Sequence, residues 1–298
     1  MNLKKIIQKY LGFVNFSSMI KLIMHGFWFR RNRVFFIFED REYTYEDVYR
    51  QSQRYAKFFL SQRKKLVDSG KLNKNQRLAF GVYMDNNPEF LFASFGAGLS
   101  NSILFAINSG FRGDTLAKVM DQAQISFLII NESTLKEVES IINSVQVMGP
   151  ENVYFAGDKK IFAATGFHPL AEAVDQAQTI DVPRNYRVRV DNFSPVIVIY
   201  TSGTSGLPKG VPCTHIKLVG AGFVVQSAVH LNKNDRGYIS MPLFHSNAWY
   251  IGILPQMIVG GSFVLKRRFS ASAFEEDMLN YGVSFLNYVG QPLHYIID

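Results

Sequence analysis

The sequence predicts an α/β fold of mostly parallel sheets flanked by helices. Three observations carry that expectation. Short apolar, β-branched runs recur without polar alternation, as strands buried on both faces require. Segments with helical spacing separate them, which is the rhythm of strand–helix–strand units. One run, PVIVIY at residues 195–200, leads into a Gly/Ser/Thr loop, YTSGTSGLPKG at 200–210, in the manner of α/β proteins that hold phosphates.

The elements follow in order. Residues 1–35 suggest an amphipathic helix, with Leu3, Ile6, Ile7, Tyr10, Leu11 and Val14 near helical spacing and Lys4, Lys5 and Lys9 at other positions. A peripheral membrane contact and a surface helix packed on the domain suit it equally. Residues 34–38 and 41–43 read as a hairpin around Glu39 and Asp40. Thr44 with Asp47 three residues on is a capping-box-like start for a helix to about Ser61. Residues 60–75 are polar and lysine-rich, hence a surface loop or helix end. Residues 77–83 form a strand, and Asn87-Pro88-Glu89 opens a helix with Pro in its first turn. Strands at 103–107, 125–130 and 153–155 alternate with helices at 114–123 and 133–144. Residues 156–194 break the rhythm, with one short helix near 169–177, and mark a seam. The expected division is a basic arm at 1–38, a first α/β subdomain at 39–182 and a second at 183–298. The second holds the 195–200 strand, strands at 236–240, 262–265 and 283–289, and a helix at 270–280.

The loop at 200–210 is neither a Walker A motif, since Pro208 precedes Lys209 and Gly210 follows it, nor a dinucleotide fingerprint. Its hydroxyls are distinctive. Thr201, Ser202, Thr204 and Ser205 suit a loop that wraps a triphosphate tail, while Gly203 and Gly206 let backbone N–H groups turn to the anion. A flexible linker is the bland alternative. A linker does not follow a buried strand or end in Pro-Lys-Gly.

Charge is unevenly spread. Seven of the 32 Lys and Arg residues fall in residues 1–38 with no acid, leaving 25 bases against 24 acids in the rest. A near-neutral body argues against nucleic-acid binding, and the basic arm favours an anionic membrane surface. The single cysteine, Cys213, excludes an intrachain disulfide framework. It reads as a small buried residue on the strand after the loop rather than a nucleophile. No clean apolar core or cleavage site marks a secretory signal. The uncharged stretches 90–111 and 237–265 are long enough to span a membrane. Their internal Gly, Pro and Asn residues read better as buried helix, turn and buried strand.

The T-S-G-T-S-G-L-P-K-G run at 201–210 resembles, at every position, the phosphate-loop signature of the adenylate-forming superfamily of acyl-CoA synthetases, luciferases and peptide-synthetase adenylation domains. Residues 85–88 with the helix after them, Asn108-Ser109-Gly110-Phe111-Arg112-Gly113, MPLFHS at 241–246 and LKRRFSASAFEED at 265–277 look like its fatty acid transport protein and very-long-chain acyl-CoA synthetase branch. The similarity covers most of residues 35–298. It implies the N-terminal domain of such an enzyme: two mostly parallel sheets flanked by helices, truncated before the C-terminal domain.

The resemblance also implies chemistry. A carboxylate attacks the α-phosphorus of ATP, pyrophosphate leaves, and coenzyme A thiolate attacks the acyl-adenylate. The first step is mainly electrostatic. By resemblance Thr201, Ser202, Gly203, Thr204, Ser205 and Gly206 cradle the β- and γ-phosphates, Lys209 supplies a cation for departing pyrophosphate, and Thr204 contacts Mg²⁺. His245 sits where the acyl carboxylate meets the α-phosphate, so Lys209, His245 and Thr204 form the expected catalytic set. His215 reads as structural, perhaps a helix start. Trp249, Tyr250 and Ile251 line an acyl pocket or are plain core. The substrates implied are a long-chain fatty acid, ATP and CoA, in the cytoplasm with peripheral membrane contact through residues 1–35.

The family's Y-G-x-T-E and T-G-D segments and its mobile C-terminal domain are absent from these 298 residues, and Asp298 lies inside a starting helix at 292–298. The expectation is therefore an N-terminal portion that binds nucleotide weakly and does not complete thioester formation. A truncated non-catalytic nucleotide- or lipid-binding homologue, and a ligase for another carboxylic acid, are the alternatives.

Overall fold

Residues 19–162, 165–183, 191–201 and 206–288 are described by the computed structural model. They form twelve strands: β1 (Val34–Phe38), β2 (Arg41–Thr44), β3 (Ala79–Tyr83), β4 (Ile103–Ala106), β5 (Leu128–Ile130), β6 (Val153–Phe155), β7 (His168–Pro169), β8 (Pro195–Thr201), β9 (Lys209–Thr214), β10 (Arg236–Ile239), β11 (Ser262–Leu265) and β12 (Phe285–Leu286). Strands β3, β5, β6 and β8 are almost wholly buried and mostly apolar, as strands covered on both faces must be.

Two sheets result. One has the order β7-β6-β5-β3-β4-β8-β9, the other β12-β10-β11-β1-β2. All pairings are parallel except β1 with β2 and β8 with β9, so the expected mostly parallel α/β architecture is what the chain adopts. Sheet membership does not follow the expected seam at 182/183. The hairpin Val34–Thr44 joins strands from beyond residue 235, with Phe36 opposite Phe263, while β8 pairs with β4 of the preceding half.

Local chemistry explains the element ends. Glu39 and Asp40 take positive φ (48° and 62°), the backbone of a tight two-residue hairpin. Thr44 Oγ1 accepts the Asp47 N–H at 3.1 Å and Asp47 Oδ2 accepts the Thr44 N–H at 2.9 Å, a complete capping box. The helix it opens, Tyr45–Asp68, runs seven residues past the expected end at Ser61. Its buried face continues through Leu60, Ser61 and Arg63, and the Arg63 guanidinium donates to the Gln76 carbonyl at 3.0 and 3.2 Å, so the polar stretch 60–75 begins as helix. Asn87 Oδ1 caps Pro88–Ser100 through the Glu89 N–H at 2.9 Å. That helix is almost entirely buried between the sheets and their neighbours. Several expected elements are shorter, most of all β5, the helix Phe274–Asn280 and β12.

The uncharged stretch 90–111 resolves into the helix Pro88–Ser100, a left-handed turn at Asn101 (φ 54°) and β4. The stretch 237–265 resolves into β10, a turn, a π-helix Ala248–Ile253, the helix Leu254–Val259 and β11. Among the described residues no helix is long and apolar enough to cross a membrane.

Candidate functional site

The carboxyl ends of the two sheets meet, and a buried side chain joins them. Asn86 follows β3 and is 2% exposed. Its Nδ2 donates to the carbonyls of Met241 (3.0 Å), beyond β10, and Lys266 (2.9 Å), beyond β11. Its Oδ1 accepts the Leu243 N–H at 2.7 Å. Close by, Arg267 pairs with Glu39 (2.7 Å), at the end of β1, and with Asp85 (3.5 Å). Asp85 in turn accepts from Asn131 Nδ2 at the end of β5. In the first sheet β4 and β5 flank β3 on opposite sides, which makes this edge a topological switch point, the usual place for a ligand in open α/β sheets.

The Gly/Ser/Thr loop leaves this same edge of the first sheet. Strand β8 runs parallel to β4, then turns back as β9, with Thr201 opposite Lys209 and Tyr200 opposite Gly210. The loop is therefore the connection of an antiparallel hairpin. Thr201 Oγ1 reaches the Lys209 carbonyl at 3.5 Å. Lys209 is exposed and has no carboxylate within ion-pair distance among the described residues. Gly206 takes φ 95°, a conformation that favours glycine, and a Cβ there would meet open space. Gly210 has no such room, since a Cβ would lie 2.9 Å from Val198 Cγ1. Ser202, Gly203, Thr204 and Ser205 lie outside the described residues, so the structure brings Thr201 and Lys209 together and gives no account of the four between.

His245 follows a strand of the other sheet. It ends the turn Pro242–His245, where its N–H donates to the Pro242 carbonyl at 2.9 Å and its ring lies 4.7 Å from that of Phe244. Partial burial lowers its imidazole pKa below the ordinary value, favouring a neutral ring. It makes no hydrogen bond with Thr201 or Lys209. Asn86 braces the turn through Met241 and Leu243, and the buried Trp249 indole N–H braces it from the other side by donating to the Leu243 carbonyl at 2.8 Å. Tyr250 in the π-helix donates its hydroxyl to Cys213 Sγ at 3.1 Å, linking the His245 segment to the strand that follows the loop. π-helical turns often mark functional sites.

Two residues near the loop are structural. Cys213 is 2% exposed on β9, and burial pushes its thiol up, the reverse of what a nucleophile needs. His215 begins the helix His215–Ala228 fully buried, and neither ring nitrogen has a hydrogen-bond partner among the described residues. Burial, with a smaller contribution from Arg77, pushes it down to about 4. Trp249 is core, with no exposed surface. Asn86 and Arg267 were missed as functional candidates. For Asn86 the signal was a polar residue directly after an apolar strand, at the carboxyl edge where α/β sheets bind ligands. No group of three or more His, Cys, Asp or Glu able to hold a metal occurs among the described residues.

Comparison with known proteins agrees with this layout. A long-chain-fatty-acid-CoA ligase (FadD1) from Archaeoglobus fulgidus superposes with a TM-score of 0.74 at 17% identity, over 94% of this chain and 53% of that one. An anthranilate CoA ligase, AuaEII, solved with anthranoyl-AMP, gives 0.75 at 17% identity over 93% and 50%. At such identities the likeness is one of fold. In sequence, medium/long-chain-fatty-acid–CoA ligase FadD17 of Mycobacterium marinum is 33% identical over 220 residues, 73% of this chain and 39% of its own length. Long-chain fatty acid transport protein 6 of Mus musculus is 30% identical over 264 residues, 89% and 40% respectively. The chain thus spans about two fifths of the length of these curated relatives. The AMP-binding enzyme family matches residues 29–298, nearly the whole sequence including both sheets and the hairpin loop, and the chain belongs to that family.

Proposed function

We propose that this chain supplies the nucleotide-binding half of a ligase that activates a long-chain fatty acid, first to the acyl-adenylate and then to acyl-CoA. The observation that carries the reading is the hairpin loop between β8 and β9. Its hydroxyl-rich sequence leaves the carboxyl edge of the first sheet, and Lys209 stands at its base with no carboxylate partner among the described residues. Such a cation is available to phosphate oxygens, and backbone N–H groups around Gly206 add donors. The named activities of the relatives, fatty-acid–CoA ligation among them, point to the acyl substrate.

Thr201, Ser202, Gly203, Thr204, Ser205, Gly206 and Lys209 are proposed to hold the β- and γ-phosphates. Mg²⁺ ordinarily arrives on nucleotide phosphates and takes one or two protein oxygens, and the Thr204 hydroxyl is the donor put forward. His245, kept neutral by partial burial, is proposed to donate a ring N–H to the acyl carboxylate or the α-phosphate. Asn86 and Trp249 keep its turn in register. CoA is the proposed acceptor.

Peripheral contact with a membrane is also proposed for residues 1–35. The helix Met19–Arg30 buries Leu22 yet exposes Trp28 (68%) and Phe29 (76%) beside Arg30, Arg31 and Arg33, an aromatic–basic combination that suits an anionic interface. Fatty-acid-dependent exchange of ³²P between pyrophosphate and ATP tests the adenylation reading. Exchange that survives Lys209→Ala unchanged would sink it.

A further inference from the structure

A cavity opens at the carboxyl edge of the first sheet, toward β6 and β7 and away from the hairpin loop that follows β8. It has a volume of about 540 Å³ and lies between the β1–β2 hairpin, the start of the helix Pro88–Ser100 and the segments after β6 and β7. That volume falls within the roughly 300–1,000 Å³ of small-molecule sites. Along the sheet order β6 and β8 are separated by β5, β3 and β4. The lining segments that follow β3 and β6 thus lie two and four steps of roughly 4.8 Å from β8, about 10 and 19 Å along the sheet.

Its lining is unusual in three respects. Phe38, Tyr43 and Tyr55 give it aromatic walls. Arg41 sits over the Tyr43 ring, its guanidinium carbon 4.7 Å from the centroid, and has no ion-pair partner among the described residues. Arg267, also in the lining, is already engaged by Glu39 and Asp85. On another wall Glu89 accepts the Tyr55 hydroxyl at Oε2, while its Oε1 accepts no hydrogen bond among the described residues. Burial holds this carboxyl above the usual range, so the empty surroundings disfavour a charge that a ligand donor would stabilise.

A lone cation, flat walls and an open acceptor ask for one kind of molecule: an anion at one end, a planar ring, and a hydrogen-bond donor on that ring. We propose that this cavity is a second nucleotide site, taking a purine nucleoside monophosphate that bears an exocyclic amine. The phosphate meets Arg41, the ring packs among Tyr43, Tyr55 and Phe38, and the amine donates to Glu89 Oε1. The site shares Arg267 and Glu39 with the seam between the sheets but none of its lining residues with the hairpin loop.

The test is calorimetric titration of the full chain carrying Lys209→Ala, which removes the loop's cation. The probes are AMP, inosine monophosphate and inorganic phosphate. AMP is expected to bind with one equivalent, and inosine monophosphate, with a carbonyl in place of the amine, roughly tenfold more weakly. Adding Arg41→Ala is expected to weaken AMP by roughly tenfold or more. Adding Glu89→Gln is expected to collapse the AMP preference toward one, because an amide serves a carbonyl as well as an amine. The preference is a ratio and is insensitive to partial misfolding, and Arg41 is exposed, so its variant folds. No AMP binding, equal binding of AMP and inosine monophosphate, tight binding of phosphate alone, or indifference to Arg41→Ala each overturns the proposal. ATP binding to the otherwise unaltered chain reads the loop separately: it is lost with Lys209→Ala and kept with Arg41→Ala if the ligase reading holds.

Discussion

Asn86 Oδ1 accepts the backbone N–H of Leu243 at 2.7 Å, 157 residues further along the chain. The bond ties the end of a strand in one sheet to the turn that carries His245 beyond the other. With two carbonyls on its Nδ2, one side chain satisfies three backbone groups at the seam.

Asn86→Ala therefore strands one N–H and two carbonyls. Each orphaned buried group costs about 1–3 kcal/mol, so a loss of roughly 3 kcal/mol or more is expected. Asn86→Asp keeps the acceptor for Leu243 and loses both donors, and the expected loss is similar because a carboxylate would face two carbonyls. Urea unfolding of the two variants checks this. A change under about 0.5 kcal/mol would mean that the seam does not depend on Asn86.

Lys209→Ala is expected to separate binding from stability. The side chain is exposed and unpaired among the described residues, so unfolding should shift by no more than about 0.5 kcal/mol. Nucleotide affinity should fall by roughly tenfold or more, the usual consequence of removing a charge-assisted phosphate contact. Lys209→Arg should recover part of it. Parallel denaturation and ATP titration decide the point.

His215 predicts a pH dependence with a definite sign. Its folded-state pKa is pushed down to about 4 from an ordinary 6.5. Between those values the unfolded chain binds the proton and the folded chain does not, so stability is full above pH 6.5 and falls as pH drops toward 4. The stability lost between those two pH values amounts to roughly 3 kcal/mol. His215→Leu should flatten this part of the stability–pH curve. Unfolding midpoints collected from pH 7 to 4.5 provide the comparison, and identical slopes in both proteins would refute it.

Trp28 and Phe29 should govern membrane partition. Vesicles rich in anionic lipid are expected to capture the protein, and Trp28→Ala with Phe29→Ala should weaken capture by roughly tenfold without changing the unfolding midpoint. Equal co-sedimentation of the double variant would remove the interface from this helix.

Thr44→Ala should cost about 1 kcal/mol, because it deletes the side-chain half of the capping box. Thr44→Ser should recover most of it. Thermal unfolding is sufficient to measure both.

Local signals were legible in the sequence and non-local ones were not. The hairpin at Glu39-Asp40, the capping box at Thr44 and the Asn87-Pro88 helix start depend on residues within four positions, and each appears where expected. The helix past Ser61 was hidden because Arg63 reads as surface, yet its stem is buried and its guanidinium finds a carbonyl 13 residues on. The parallel partner of β1, β11, lies beyond residue 260, and nothing in VFFIF names it. At the candidate site the motif located Thr201 and Lys209, which face each other as strand partners. The helix start expected at His215 is where the helix begins. Asn86 escaped because its role lies in partners more than 150 residues away.

The pairing of Phe36 with Phe263 has a consequence for synthesis. These positions are 227 residues apart, so on the ribosome the aromatic hairpin waits for β11 while the first sheet can already close through residue 214. At roughly 5–20 residues per second that wait lasts about 10–45 s. For that interval Phe35 and Phe36, both fully buried in the finished fold, lack the Phe263 ring against which both pack. Closure of the second sheet is therefore a late event, set by the order in which its strands are made.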